Sequence, residues 1–153
     1  PELGRLQSLT RDLGLGSRVQ FTGQVSEERK WQLLQAADLY VSATMHEGFG
    51  LVYLEAMAAG LPVITYDEGG QVDFLSDGET GYLIPAGNEA ALAAALARAL
   101  RCREELKEMG AANRRRASTH RIERCAAAYE SLFERIIARA PAHRQRPATV
   151  PGS

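Results

Sequence analysis

Glu47, Gly48, Phe49, Gly50, Leu51 and Glu55 are the residues of this chain whose types and spacing could do chemistry. The two glutamates stand eight positions apart and flank the start of an apolar run, from about Leu51 to Ala59, that Gly60 closes. Read as a helix, that run leaves unpaired backbone N–H groups and a partial positive charge at its beginning. Gly48 and Gly50 let a ligand come close to the backbone there, so a phosphate or a sugar hydroxyl could sit against it. An ionised carboxylate only accepts hydrogen bonds, and a sugar offers many donors, so Glu47 and Glu55 suit hydroxyls. At 100° per residue Glu55 falls on the side of Leu51, Leu54 and Ala58, which is expected to face a sheet. A buried charge needs partners, and a ribose diol would be one. Taken singly these signals are weak. A Gly-x-Gly before a helix is common, and Glu47 alone could act only as a favourable charge at a helix start.

The elements that must position these residues alternate. Leu3, Leu6, Leu9 and Leu13 predict a helix ended by Gly14 and Gly16. Arg18–Thr22 reads as a strand. Ser26 caps a second helix with Glu27 and Glu28 in its first turn. Asp38–Ser42 reads as a strand, and the glutamate turn and its helix follow. Leu61–Tyr66 is a continuous apolar run of the kind found in a parallel sheet covered on both faces. After a loop at Asp67–Gly70 and a helical turn at Gln71–Leu75, Gly81–Pro85 forms a fourth strand. Asn88 caps an alanine-rich helix to about Arg101, a further helix runs to Ala117, and a last one covers His120–Arg139. The expected fold is α/β, a Rossmann-like doubly wound parallel sheet with C-terminal helices. The last helix carries Ile122, Cys125, Tyr129, Leu132, Phe133, Ile136 and Ile137 on one stripe, which predicts a core-facing surface helix.

The chain has 153 residues, 45% of them hydrophobic, which is enough for one domain with a real core. A net charge of −1 argues against nucleic acid as a partner. The run Arg114-Arg115-Arg116 reads as a solvated helix face, with contact to acidic lipid as the alternative. Cys102 and Cys125 lie in helical pattern, and with His120 they fit no metal-ligand spacing, so they read as reduced and structural, as in cytoplasm. No apolar run has the length of a membrane span. Neither a dinucleotide fingerprint nor a P-loop is present. Residues 1–140 are therefore expected to form the domain, and the proline- and arginine-containing segment 141–153 a disordered tail.

The run from Ala37 to Pro85 resembles the signature region of family 4 retaining glycosyltransferases, which have the GT-B fold. The matching pieces are Ala37-Asp38-Leu39-Tyr40-Val41-Ser42, Glu47-Gly48-Phe49-Gly50-Leu51 and Leu54-Glu55-Ala56-Met57-Ala58-Ala59-Gly60-Leu61-Pro62-Val63-Ile64. Gly69-Gly70, Asp77-Gly78-Glu79-Thr80-Gly81 and Leu83-Ile84-Pro85 follow, and Val19-Gln20-Phe21-Thr22-Gly23-Gln24-Val25 lies upstream. The likeness covers roughly residues 1–137 and says little about the substrate; it implies that the C-terminal helix packs back across to the other domain, so that part of its stripe is expected to be exposed here. It implies that Glu47 contacts the donor sugar near the reacting centre and counts as the catalytic position. It implies that Gly48 and the backbone of Phe49, Gly50 and Leu51 face the sugar and its phosphates, that Glu55 holds the ribose, and that Val25 borders the base. Many members have Pro-Ser where this chain has Ser42-Ala43, so the loop up to His46 departs from the pattern. His46 precedes Glu47 and reads as a loop histidine with a structural hydrogen bond, or as a ligand contact.

The resemblance implies the donor-binding, C-terminal domain of an enzyme that moves a sugar from a nucleotide diphosphate sugar to an acceptor hydroxyl. No cofactor and no metal are expected, because no Asp-x-Asp is present and helix starts and basic groups stabilise the leaving diphosphate in that fold. The family's arginine and lysine for that task, the first two strands and the acceptor-binding N-terminal domain precede the point that Pro1 resembles. The isolated chain is accordingly expected to be inactive, with Arg18–Thr22 deprived of its neighbours and set apart from Leu39–Ser42 or paired with it atypically. Peripheral membrane association is an expectation for the full protein, and cytoplasm for the compartment. The alternative is a non-catalytic nucleotide-sugar binding module that works with a separate N-terminal half.

Overall fold

The computed structural model describes residues 2–45 and 47–139. The expectations for His46 and for the tail 141–153 lie outside the described residues. The chain divides into two units, Pro1–Ala36 and Ala37–Ser153.

The first unit holds two helices, α1 (Glu2–Asp12) and α2 (Glu27–Ala36). Ser26 caps α2 as its sequence suggests, its hydroxyl accepting the Arg29 N–H at 3.2 Å. The leucine stripe of α1 does not become a core, and Leu3, Leu6, Leu9 and Leu13 all stay exposed. Arg18–Thr22 is not a strand and joins no ladder. A strand needs a neighbour for its backbone groups, and among the described residues none pairs with this segment. Val19 and Phe21, the apolar residues of that segment, are exposed.

The second unit holds a three-stranded parallel sheet in the order β1 (Tyr40–Val41), β2 (Val63–Tyr66), β3 (Gly81–Ile84). Tyr40 pairs with Val63 across β1 and β2, and Val63 with Gly81 across β2 and β3. All of β2 is buried, as an apolar central strand covered on both faces should be. The two faces belong to different helices because strand side chains alternate. Ile64, Tyr66, Tyr82 and Ile84 pack under α4 (Glu89–Arg101) and α5 (Arg103–Ala117), against Ala95, Ala99 and Met109. Val63 and Tyr40 turn the other way and meet Tyr53 and Met57 of α3 (Leu51–Ala59), with Phe74 and Leu75. Completely burying a side chain such as Met57 or Val63 is worth about 1.5–3 kcal/mol, so this layer fixes α3 firmly on the sheet.

Polar groups complete the attachment. Asn113 of α5 is fully buried, and its Nδ2 donates to the carbonyls of Leu61 and Thr80 at 2.7 Å each. Of the arginine run read as solvated, Arg114 donates to Ala59 O at the end of α3 and Arg116 to Ser76 Oγ at 2.8 Å, so two of its members are structural. Asn88 caps α4 as expected, accepting the Ala91 N–H at 2.9 Å.

The last helix, α6 (Ile122–Arg139), has no buried residue. The core-facing reading of its stripe is therefore wrong here. Ile122, Tyr129, Leu132, Phe133, Ile136 and Ile137 are all exposed. Periodicity reported the amphipathic helix correctly and could not report what covers it.

Candidate functional site

The turn from Glu47 to Gly50 leads into α3 at the carboxyl side of β1, where open parallel sheets take ligands. Gly50 is the reason the turn can be so tight. Its φ is 87°, and a Cβ would stand 2.6 Å from Cδ2 of Tyr53. Gly50, the N-cap residue of α3, makes no side-chain cap hydrogen bond. Within the helix, Tyr53 N–H is bonded to Gly50 O at 3.0 Å. The positive end of the helix is thus presented beside Gly48 and Phe49, both exposed.

Tyr53 anchors the loop from below. Its hydroxyl lies 3.1 Å from Ser42 Oγ and 3.0 Å from Thr65 Oγ1, which ties the end of β1 to β2 through α3. Ser42 Oγ also lies 3.0 Å from Thr44 Oγ1, which adds a side-chain contact just beyond the strand. The rings of Tyr40 and Tyr53 meet edge to face at 5.8 Å. Phe49 lies against Phe74 at 5.7 Å, and Phe74 against His120 at 5.8 Å.

The side of α3 that faces the sheet is Tyr53, Ala56 and Met57. The expectation that Leu51, Glu55 and Ala58 face the sheet is corrected: Leu51 and Ala58 are exposed and Glu55 is half-buried on the flank. With nearly every α3 side chain apolar, there was little polar contrast to set the phase of the helix. Glu47 is half-buried as well. The two carboxylates nevertheless share a neighbour. The Tyr40 hydroxyl is pushed above its ordinary value of 10.0, first by burial, then by Tyr53, Glu47 and Glu55.

A crevice of about 320 Å³ opens at this turn, lined by Met45, Glu47, Gly48, Glu68 and Gly69. Its second wall is the Gly69–Gly70 turn. The Gly70 N–H donates to Glu47 O at 3.2 Å, and a Cβ on Gly70 would overlap the Gly48 carbonyl. A larger cavity of about 480 Å³ lies among Leu39, Pro62, Leu96, Leu100, Arg103 and Leu106, and touches none of Glu47, Gly48, Phe49, Gly50, Leu51 and Glu55. The smaller crevice is the better candidate because Glu47, Gly48 and Gly69 line it at the turn that leads into α3; Phe49, Gly50, Leu51 and Glu55 are not among its lining residues. Val25 belongs to the first unit, half-buried in the loop before α2. Sequence reasoning missed Met45, Glu68 and the anchoring role of Tyr53. The Gly69-Gly70 pair after a strand was the available signal for the second wall. Among the described residues no three His, Cys, Asp or Glu side chains come together as a metal would need.

Chemically, the arrangement offers acceptors to hydroxyl groups and a helix start to a phosphate. Comparison with known proteins gives the same direction. The family described as glycosyl transferases group 1 matches residues 1–116. A phosphatidyl-myo-inositol mannosyltransferase of Mycobacterium leprae is 45% identical over 89 residues, covering 58% of this chain and 24% of that protein. Among solved structures, sucrose-phosphate synthase of Thermosynechococcus elongatus superposes with a TM-score of 0.82 at 34% identity, covering 91% of this chain and 35% of that one. HepE of Anabaena, solved in complex with UDP, gives 0.75 at 26% identity over 89% of this chain and 36% of that one. The same protein has been solved with UDP-glucose. The matched region thus spans about a quarter to a third of these relatives.

Proposed function

The chain belongs to the group 1 glycosyl transferases, and we propose that its second unit is the part of a retaining enzyme of that family that binds a nucleotide diphosphate sugar. The observation that carries this reading is the crevice lined by Glu47 and Gly48, at the turn that leads through Gly50 into the start of α3. The diphosphate of the donor sits against the start of α3, where the backbone favours an anion. Glu47 accepts hydroxyls of the sugar, and Glu55, a turn further along α3, accepts those of the ribose. Holding the donor at three places fixes the anomeric carbon for attack by an acceptor hydroxyl as the bond to the diphosphate breaks. The same helix start stabilises the charge that develops on the departing phosphate. A metal has no part in this scheme. The acceptor would be held by a separate domain, and the chain alone would bind donor without transferring the sugar. The UDP complexes of a relative support a uridine nucleotide as the first ligand to try.

Calorimetric titration of UDP and UDP-glucose into the chain and two variants tests the role of each carboxylate. Glu55→Gln should weaken both ligands by about 1.5–3 kcal/mol, roughly ten- to hundredfold, the value of hydrogen bonds to a charged acceptor. Glu47→Ala should leave UDP nearly unchanged and weaken UDP-glucose. Parent-like affinity of Glu55→Gln for UDP would remove Glu55 from the site, and loss of bare UDP in Glu47→Ala would overturn the division of roles.

A further inference from the structure

Gln71 has no part in the scheme above, yet its side chain is fully buried one residue beyond the Gly69–Gly70 wall of the crevice. Its Nε2 donates to the carbonyl of Tyr66 at 3.2 Å and to that of Glu68. Two carbonyls facing Nε2 fix the orientation of the amide, because the flipped form would set oxygen against oxygen. The side chain therefore closes the loop that carries Glu68 and Gly69 to the crevice. Oε1 has no partner among the described residues. A methionine would fill the same space without an orphaned oxygen, so what the amide alone supplies is donation to two carbonyls at once. From there the link to the first wall passes through the backbone of Gly69 and Gly70. Oε1 lies 2.6 Å from where a Cβ of Gly69 would stand, and that point is 3.0 Å from Glu47 O. Gly70 N–H bonds the same Glu47 carbonyl at 3.2 Å.

We propose that Gln71 is a positioning residue which, through the Gly69–Gly70 turn, sets the placement of Glu47 and the width of the crevice that receives the sugar of the donor. The functional half rests on the donor reading above. The linkage from Gln71 to Glu47 stands on the geometry of this chain alone.

The test uses the full chain with Gln71→Met, which keeps the volume, and Gln71→Glu, which keeps the shape but turns an oxygen toward two carbonyls. Amide hydrogen exchange at Gly70 reads the linkage, and calorimetry with UDP and UDP-glucose reads its consequence. Exchange at Gly70 should quicken by roughly tenfold or more in each variant, while amides of α4 and α5 keep their protection, as expected for a local opening. Affinity for UDP should stay near that of the parent, and the advantage of UDP-glucose over UDP should fall roughly tenfold, as loss of placement at one subsite implies. A merely structural role would lower both affinities together and quicken exchange throughout the core, which would overturn the proposal. Unchanged exchange at Gly70 would overturn it whatever the ligands do, and so would faster exchange with the sugar advantage intact. If the parent binds neither nucleotide, the donor reading fails by itself. The placement of Glu47 is then decided by Gly70 exchange and by the ultraviolet titration of Tyr40, which must shift in the variants for the linkage to stand.

Discussion

Removing one oxygen atom, in Tyr53→Phe, should loosen the attachment between the sheet and the loop that bears the crevice. Tyr53 is fully buried, and its ring packing against Tyr40 and Met57 survives the change. What is lost is the pair of hydrogen bonds to Ser42 Oγ at 3.1 Å and to Thr65 Oγ1 at 3.0 Å. A neutral hydrogen bond contributes about 0.5–1.5 kcal/mol net, so the pair is worth about 1–3 kcal/mol. The two partners fare differently. Ser42 keeps Thr44 as a neighbour at 3.0 Å. Thr65 is fully buried, and its hydroxyl has no second partner among the described residues. Leaving it unsatisfied places the expected loss in the upper part of the range, about 1.5–2.5 kcal/mol. For a chain of this length that is a fall in Tm of roughly 3–10 °C. Urea and thermal unfolding would measure it. Thr65→Val added to Tyr53→Phe removes the stranded hydroxyl as well, so the double variant should be less destabilised than the sum of the singles by about 0.5–1.5 kcal/mol. Parent-like stability of Tyr53→Phe, with strict additivity in the double variant, would mean that the Tyr53 hydroxyl does not hold Ser42 and Thr65 together.

Two further predictions concern the core and the carboxylates. Asn113→Ala should cost about 2–4 kcal/mol, since it deletes two buried hydrogen bonds and strands the carbonyl of Leu61; denaturant unfolding checks it, and a change within experimental error would dismiss the bridge. The Tyr40 hydroxyl has its folded pKa raised above 10.0 by burial first and then by Tyr53, Glu47 and Glu55. A raised pKa means that the folded state holds the proton more tightly, so this stability is complete below pH 10.0 and is lost as the pH rises through the folded value. Glu47→Gln and Glu55→Gln should each move the ultraviolet titration of Tyr40 back toward its ordinary value without reaching it, because burial remains. An unmoved titration in both variants would place the carboxylates away from Tyr40.

Much of the second unit was legible because its signals were local. Gly60 ends α3 with φ 83°, Asn88 caps α4, and the apolar run before Asp67 is a strand buried on both faces. The glutamate turn was legible for the same reason, since glycine, carboxylate and helix start lie within a few residues. The illegible parts depended on distant neighbours. Arg18–Thr22 has a strand-like sequence and, among the described residues, takes part in no ladder. The stripe of α6 has the period of a core helix, yet Ile122, Tyr129, Leu132, Phe133, Ile136 and Ile137 are exposed. Glu55 was assigned to the wrong side of α3 because Leu51, Val52, Leu54 and Ala58 gave the helix no polar face from which to judge its rotation. Arg114 and Arg116 look like any basic run until the carbonyl of Ala59 and the hydroxyl of Ser76 come within reach. Glu68 and Gln71 lie about twenty residues from Glu47, and only the folded Gly69–Gly70 turn brings that segment to the crevice.

The central claim is that the turn at Glu47–Gly50 and the start of α3 hold a nucleotide sugar. Backbone amide chemical shifts, followed while UDP-glucose is titrated into the chain, test it residue by residue. The largest saturable shifts should fall on Gly48, Phe49, Gly50 and Leu51, with Gly69 and Gly70 following. Shifts confined to the lining of the larger cavity, at Leu39, Leu96, Leu100 and Leu106, or no saturable shift at any amide, would contradict it.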